Sequence, residues 1–80
     1  MTINPDIMDT FCAVLGEKYR DTVTEKTTID DIEEWDSYSF IELVYALEKR
    51  FNIQFSAEEI AEMIEVKKIN DMVEMKVAKL

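Results

Sequence analysis

The chain has no histidine, a single cysteine, one glycine and one proline among its 80 residues. Each shortage removes a class of reading. Without histidine there is no Ser-His or Cys-His nucleophile pair, and most zinc sites lose their usual ligand, so no metal site is read. Cys12 has no partner for an intrachain disulfide; it sits in an apolar helical pattern and reads as a small core hydrophobe. So few turn-formers argue against an all-β protein. Bases are scarce too, nine against eighteen acids, for a net charge of -9. That field repels nucleic-acid phosphates and anionic membrane surfaces, and it steers the chain toward basic partner surfaces. The opening, M-T-I-N-P-D-I-M-D-T-F, lacks a basic n-region and a long apolar run. No signal peptide or membrane span is read, and a cytoplasmic setting is expected.

What is present points to helices. Hydrophobic residues make up 48% of the chain, enough for a packed core, and the length suits one domain, residues 1–80. Asn4-Pro5 reads as an N-cap followed by proline at the first helical position, with Ile7, Phe11, Val14 and Leu15 at helical spacing. This predicts a first helix from about Pro5 to about Tyr19, weakened late by Gly16. From Arg20 to Asp36 the chain is rich in threonine and acids. Ile29 and Ile32 are expected to pin this long loop to the core through a short helical turn. Its acids do not have the spacing or the glycine of a calcium loop.

A second helix is predicted from about Ser37 to Phe51, with Phe40, Leu43, Val44, Leu47 and Phe51 as its core stripe. Tyr38, Ile41 and Tyr45 form a stripe beside it. Periodicity alone allows this stripe to be an exposed docking surface or a cover for the preceding loop. Ser56 and Glu59 have capping-box spacing, and Phe55 with Ile60 matches a hydrophobic staple. The short helix they open should carry Ile60, Met63 and Ile64 inward. Beyond Val66, the residues Ile69, Met72, Val73, Val77 and Leu80 repeat at helical spacing. The five methionines read as gap-fillers. The expectation is all-α, a four-helix bundle with a long first connection and a short third helix.

Asp36-Ser37 precedes the most apolar helical run. Taken alone, the pair is a helix cap. It also follows a long loop that delivers it to a helix N-terminus, where backbone N–H groups and the dipole suit a phosphate ester on the serine oxygen.

The run D-S-Y-S-F-I-E-L-V-Y-A-L-E-K-R-F-N-I resembles the second-helix signature of acyl and peptidyl carrier proteins. In that signature an Asp-Ser-Leu start is followed by Glu-Leu five and six residues after the serine, here Glu42 and Leu43. Leu47, Phe51 and Ile53 continue the register, and I-N-D-M-V-E from Ile69 resembles the start of the family's last helix. The resemblance covers nearly the whole chain and implies a bundle of acyl-carrier type. It implies that Ser37 receives 4′-phosphopantetheine from a phosphopantetheinyl transferase and that Asp36 positions it. The arm would hold an acyl or aminoacyl group as a thioester.

By the same resemblance, Tyr38, Ile41, Glu42, Tyr45 and Glu48 contact partners, namely acyl- or aminoacyl-loading and acyl-transferring enzymes with basic docking surfaces. The expected protein is a monomeric carrier, not an enzyme, bound to neither nucleic acid nor membrane. Tyr38 stands where leucine is usual, and Trp35 where fatty-acid carriers have a small residue. E-W-D-S is closer to stand-alone carriers of specialised pathways, such as polyketide or nonribosomal peptide synthesis. The alternative is an acidic helical adaptor that binds a partner and carries nothing.

Overall fold

The first helix starts as its local chemistry dictates. The Asn4 side chain accepts the Asp6 N–H at 2.8 Å and Pro5 fills the position where no backbone donor is needed, so α1 runs Pro5–Leu15. The computed structural model describes residues 3–79. The expected end near Tyr19 is corrected. Gly16 turns to φ 133°, a conformation rarely open to residues with a side chain, and the chain resumes as a 3₁₀ turn over Glu17–Tyr19.

The long connection is tied down at several points. Val23, Ile32 and Trp35 are buried, and Ile29–Asp31 forms the expected short turn, closed by a Thr28–Asp31 capping box. The loop also pairs with the later chain. Ile29 N–H donates to the Ile64 carbonyl (2.8 Å), Val66 N–H to that of Thr27 (2.9 Å) and Lys67 N–H to that of Glu25 (3.0 Å). This bridge, centred on Thr28 and Glu65, consumes backbone groups that a buried loop would otherwise leave unpaired.

Helix α2 spans Ser37–Phe51 and ends where Asn52 takes the left-handed conformation, φ 56°. The Asn52 and Ile53 N–H groups both donate to the Glu48 carbonyl, which closes the helix. Helix α3 is the short Ala57–Glu62, and α4 runs Val66–Ala78. Among the described residues the architecture is all-α, with no strand beyond the isolated bridge.

A single apolar cluster joins the elements. Ile7, Phe11 and Leu15 of α1 meet Leu43, Val44 and Leu47 of α2, Ile69 and Val73 of α4, and Trp35 of the loop. Phe40 and Phe51 sit at its edge, half-buried. Cys12 is buried, and that burial pushes its thiol pKa up, as suits an inert core residue. Met63 is fully buried, and Met8 and Met72 pack on the cluster, whereas Met75 is exposed.

Two residues of the helical apolar pattern face out, Ile64 against the expectation that it points inward. Helix α3 stops before Ile64, whose carbonyl is drawn into the bridge while its side chain stays exposed. Val77, in the last turn of α4, lines a shallow hollow with Phe51 and Val73 and is also exposed. Leu80 lies outside the described residues. Asn70 was not singled out in the sequence, yet it is buried and ties the chain start to α4. Its Oδ1 accepts the Asn4 N–H (2.8 Å) and its amide donates to Glu74 (2.9 Å). Among the described residues, no helix is long and apolar enough to cross a membrane.

Candidate functional site at the start of the second helix

The approach to α2 is anchored from within. Ile32 and Trp35 are buried, the Trp35 N–H closes a turn onto the Ile32 carbonyl (3.1 Å), and the Trp35 ring meets Phe11 edge-on at 5.2 Å. Trp35 Nε1 has no hydrogen-bond partner, so apolar packing holds this ring in place. The chain then leaves the core at Asp36, exposed and extended, which becomes the N-cap.

A capping box closes over the first turn. Asp36 Oδ1 accepts the Ser39 N–H at 2.9 Å, and Ser39 Oγ accepts the Asp36 N–H at 2.9 Å. The Ser39 hydroxyl donates its one proton onward, most closely to the Glu34 carbonyl at 2.5 Å. The Ser39 N–H beside the Asp36 carboxyl holds its pKa below the ordinary range, so Asp36 stays ionised. Outside this turn, the Glu34 carboxylate takes the Lys18 ammonium at 2.8 Å and the Tyr19 hydroxyl. The Lys18 bond, followed by that of Tyr19, brings the Glu34 pKa down to about 2, and Glu34 in return raises that of Tyr19.

Ser37 is the first residue of α2, is exposed, and contributes no hydroxyl to this network. That separates the two serines. Ser39 is a structural part of the helix start; Ser37 presents an unengaged oxygen at the positive end of a 15-residue helix. The neighbouring Asp36 carboxylate is committed to the Ser39 N–H and is held weakly basic.

The stripe that periodicity left open faces solvent. Tyr38 is 76% exposed, Ile41 47% and Tyr45 67%. Glu42 is exposed beside them. Glu48 is half-buried, and its Oε2 accepts the Phe55 N–H at 2.9 Å, bracing the turn into α3. Beyond Tyr45 the stripe runs into an open groove edged by Lys49, Lys76 and Lys79, in contrast to the acids around Ser37. The Asp-x-x-Ser spacing of Asp36 and Ser39 carried a capping signal that could have been read from sequence. No such signal pairs Tyr19 with Glu34, fifteen residues apart. No family model matches the chain, and no curated protein matches it.

Proposed function

We propose that the protein is a discrete carrier that holds acyl or aminoacyl intermediates as thioesters on a 4′-phosphopantetheine arm at Ser37. The observation that carries this reading is the division of labour at the start of α2, where Asp36 and Ser39 close the cap and the Ser37 hydroxyl is left unengaged. The four-helix order, with a long first connection and a short third helix, supports a bundle of acyl-carrier type. In the transfer, Ser37 Oγ attacks the pantetheine-side phosphorus of coenzyme A. The bond to adenosine 3′,5′-bisphosphate breaks, and the hydroxyl proton leaves to a base on the phosphopantetheinyl transferase. Once bound, the arm supplies the thiol on which cargo is carried. The chain supplies the exposed oxygen, an ordered first turn, and a helix dipole that favours the negatively charged ester.

On this reading Tyr38, Ile41 and Tyr45 anchor loading and transferring enzymes, and Glu42 orients their basic surfaces. Glu48 plays a smaller part, since its carboxylate already braces Phe55. The exposed stripe would also serve an acidic adaptor with no prosthetic group, and one experiment separates the two. Intact mass is measured after incubation with coenzyme A and a promiscuous phosphopantetheinyl transferase. A gain of one phosphopantetheine on the wild type and on Ser39→Ala, but not on Ser37→Ala, is the expected result. An unchanged wild-type mass would leave the adaptor reading in its place.

A further inference from the structure

The network around Glu34 does more than cap a helix, because it joins the 3₁₀ turn after α1 to the first turn of α2. Glu34 lies between two buried anchors, Ile32 and Trp35, and points its carboxylate outward to Lys18 and Tyr19, just beyond the Gly16 break. Its carbonyl oxygen accepts the Ser39 hydroxyl at 2.5 Å. One residue therefore couples the 3₁₀ turn after α1 through its side chain and the first turn of α2 through its backbone. Ser37 sits inside the loop this closes, between Asp36 and Ser39.

We infer that Tyr19, Lys18 and Glu34 form a clasp of positioning residues that preorganises Ser37 for modification by a partner enzyme. The inference rests on the proposed attachment at Ser37. Core burial of Ile32 and Trp35 keeps the approach segment on the molecule, and the Asp36–Ser39 box orders its end, but neither ties it to the turn after α1. The clasp does. With it, the competent first-turn conformation is the resident one. Without it, the segment samples others, and the apparent affinity of an enzyme for the chain falls in proportion to the competent fraction. The Lys18 and Tyr19 bonds that lower the Glu34 pKa to about 2 keep its carboxylate charged, and so able to hold Lys18, into mildly acidic solution.

The test uses the whole chain and two readouts. Tyr19→Phe removes the hydroxyl alone, Glu34→Gln removes the charge but keeps an acceptor, and Glu34→Ala removes both. Steady-state modification by a promiscuous phosphopantetheinyl transferase with coenzyme A is measured beside amide hydrogen exchange at Ser39. Glu34→Ala should raise KM for the chain roughly fivefold with kcat unchanged, as expected if the competent fraction falls to about a fifth. Tyr19→Phe and Glu34→Gln should fall between it and wild type. Ser39 amide exchange should quicken in the same order, while the thermal midpoint stays near that of wild type. A purely structural role would lower that midpoint and leave the KM-to-kcat split unmoved. Normal KM in Glu34→Ala, with the wild type modified, overturns the clasp and leaves the attachment intact. If the wild type takes no adduct, the attachment fails, and the clasp then stands or falls on whether Glu34→Ala quickens Ser39 exchange.

Discussion

Helices α2 and α3 open with the same device built in opposite order. At α3 the cap is a hydroxyl and the third position a carboxylate: Ser56 Oγ accepts the Glu59 N–H (3.2 Å) and Glu59 accepts the Ser56 N–H (2.7 Å). At α2 the carboxylate, Asp36, comes first and the hydroxyl, Ser39, third. Each box follows a buried aromatic, Phe55 or Trp35, that fixes the chain as it enters the helix. The inversion has a chemical consequence. With serine as the cap, its hydroxyl is consumed and the next position is an alanine, Ala57. With aspartate as the cap, the serine that follows it has no structural duty. The α3 box is further sealed, since Glu59 also holds Lys76 at 2.9 Å. The same local rule yields a closed helix start at one place and a presented hydroxyl at the other.

The comparison breaks most completely at Ser37. Ser37→Ala should abolish phosphopantetheine addition by mass, while Ser56→Ala and Ser39→Ala keep it. An adduct that persists in Ser37→Ala would remove the contrast between the boxes. The next largest effect lies beneath them. Trp35→Ala should destabilise the fold by about 3–5 kcal/mol, because a buried ring is lost and the space cannot fully collapse. Phe55→Ala, at the rim and under the Lys76 ammonium, should sit at the low end of that range. Urea midpoints order the two, and equal losses would mean that the entry aromatics are equivalent.

A smaller effect sharpens the contrast between the serines. Ser56→Ala should cost about 1 kcal/mol through the lost cap. Ser37→Ala should stay within about 0.5 kcal/mol of wild type, as for an exposed residue outside any structural feature. A larger loss from Ser37→Ala would show that its hydroxyl serves the helix after all. The smallest effect is in pH. Glu34, Asp36 and Glu59 all have depressed folded-state pKa values, with Glu34 at about 2 against an ordinary 4.5. Their unfolded forms take up protons first, so their stabilisation is complete above about pH 4.5 and fades as pH falls toward 2. Glu34→Gln should flatten this acid slope slightly in a denaturation series, and an unaltered slope would show that the exposed Glu34 adds nothing to the pH dependence.

Much of this was legible from local pattern. The Asn4-Pro5 start, both bounds of α2, the Ser56–Glu59 box and the turn at Ile29 depend on neighbours a few residues apart, where spacing maps directly onto geometry. The core stripe of α2 was legible for the same reason. Ile64 is exposed against expectation because helical spacing continues past the point where the α3 hydrogen bonds stop. The spacing of Tyr19 fits α1, but Gly16 breaks the helix before it.

The sequence by itself determined the helices, their caps and an Asp-Ser pair at the start of the second, since these follow from propensities and short-range hydrogen bonds. Only the tertiary structure decided that Tyr38, Ile41 and Tyr45 face solvent, that Glu48 turns back to Phe55, and that Glu34 joins Tyr19 and Lys18 across fifteen residues or more. Those outcomes depend on which helix faces find a partner once the core closes. The period of a helix says which side chains share a face, and packing alone says which face is covered.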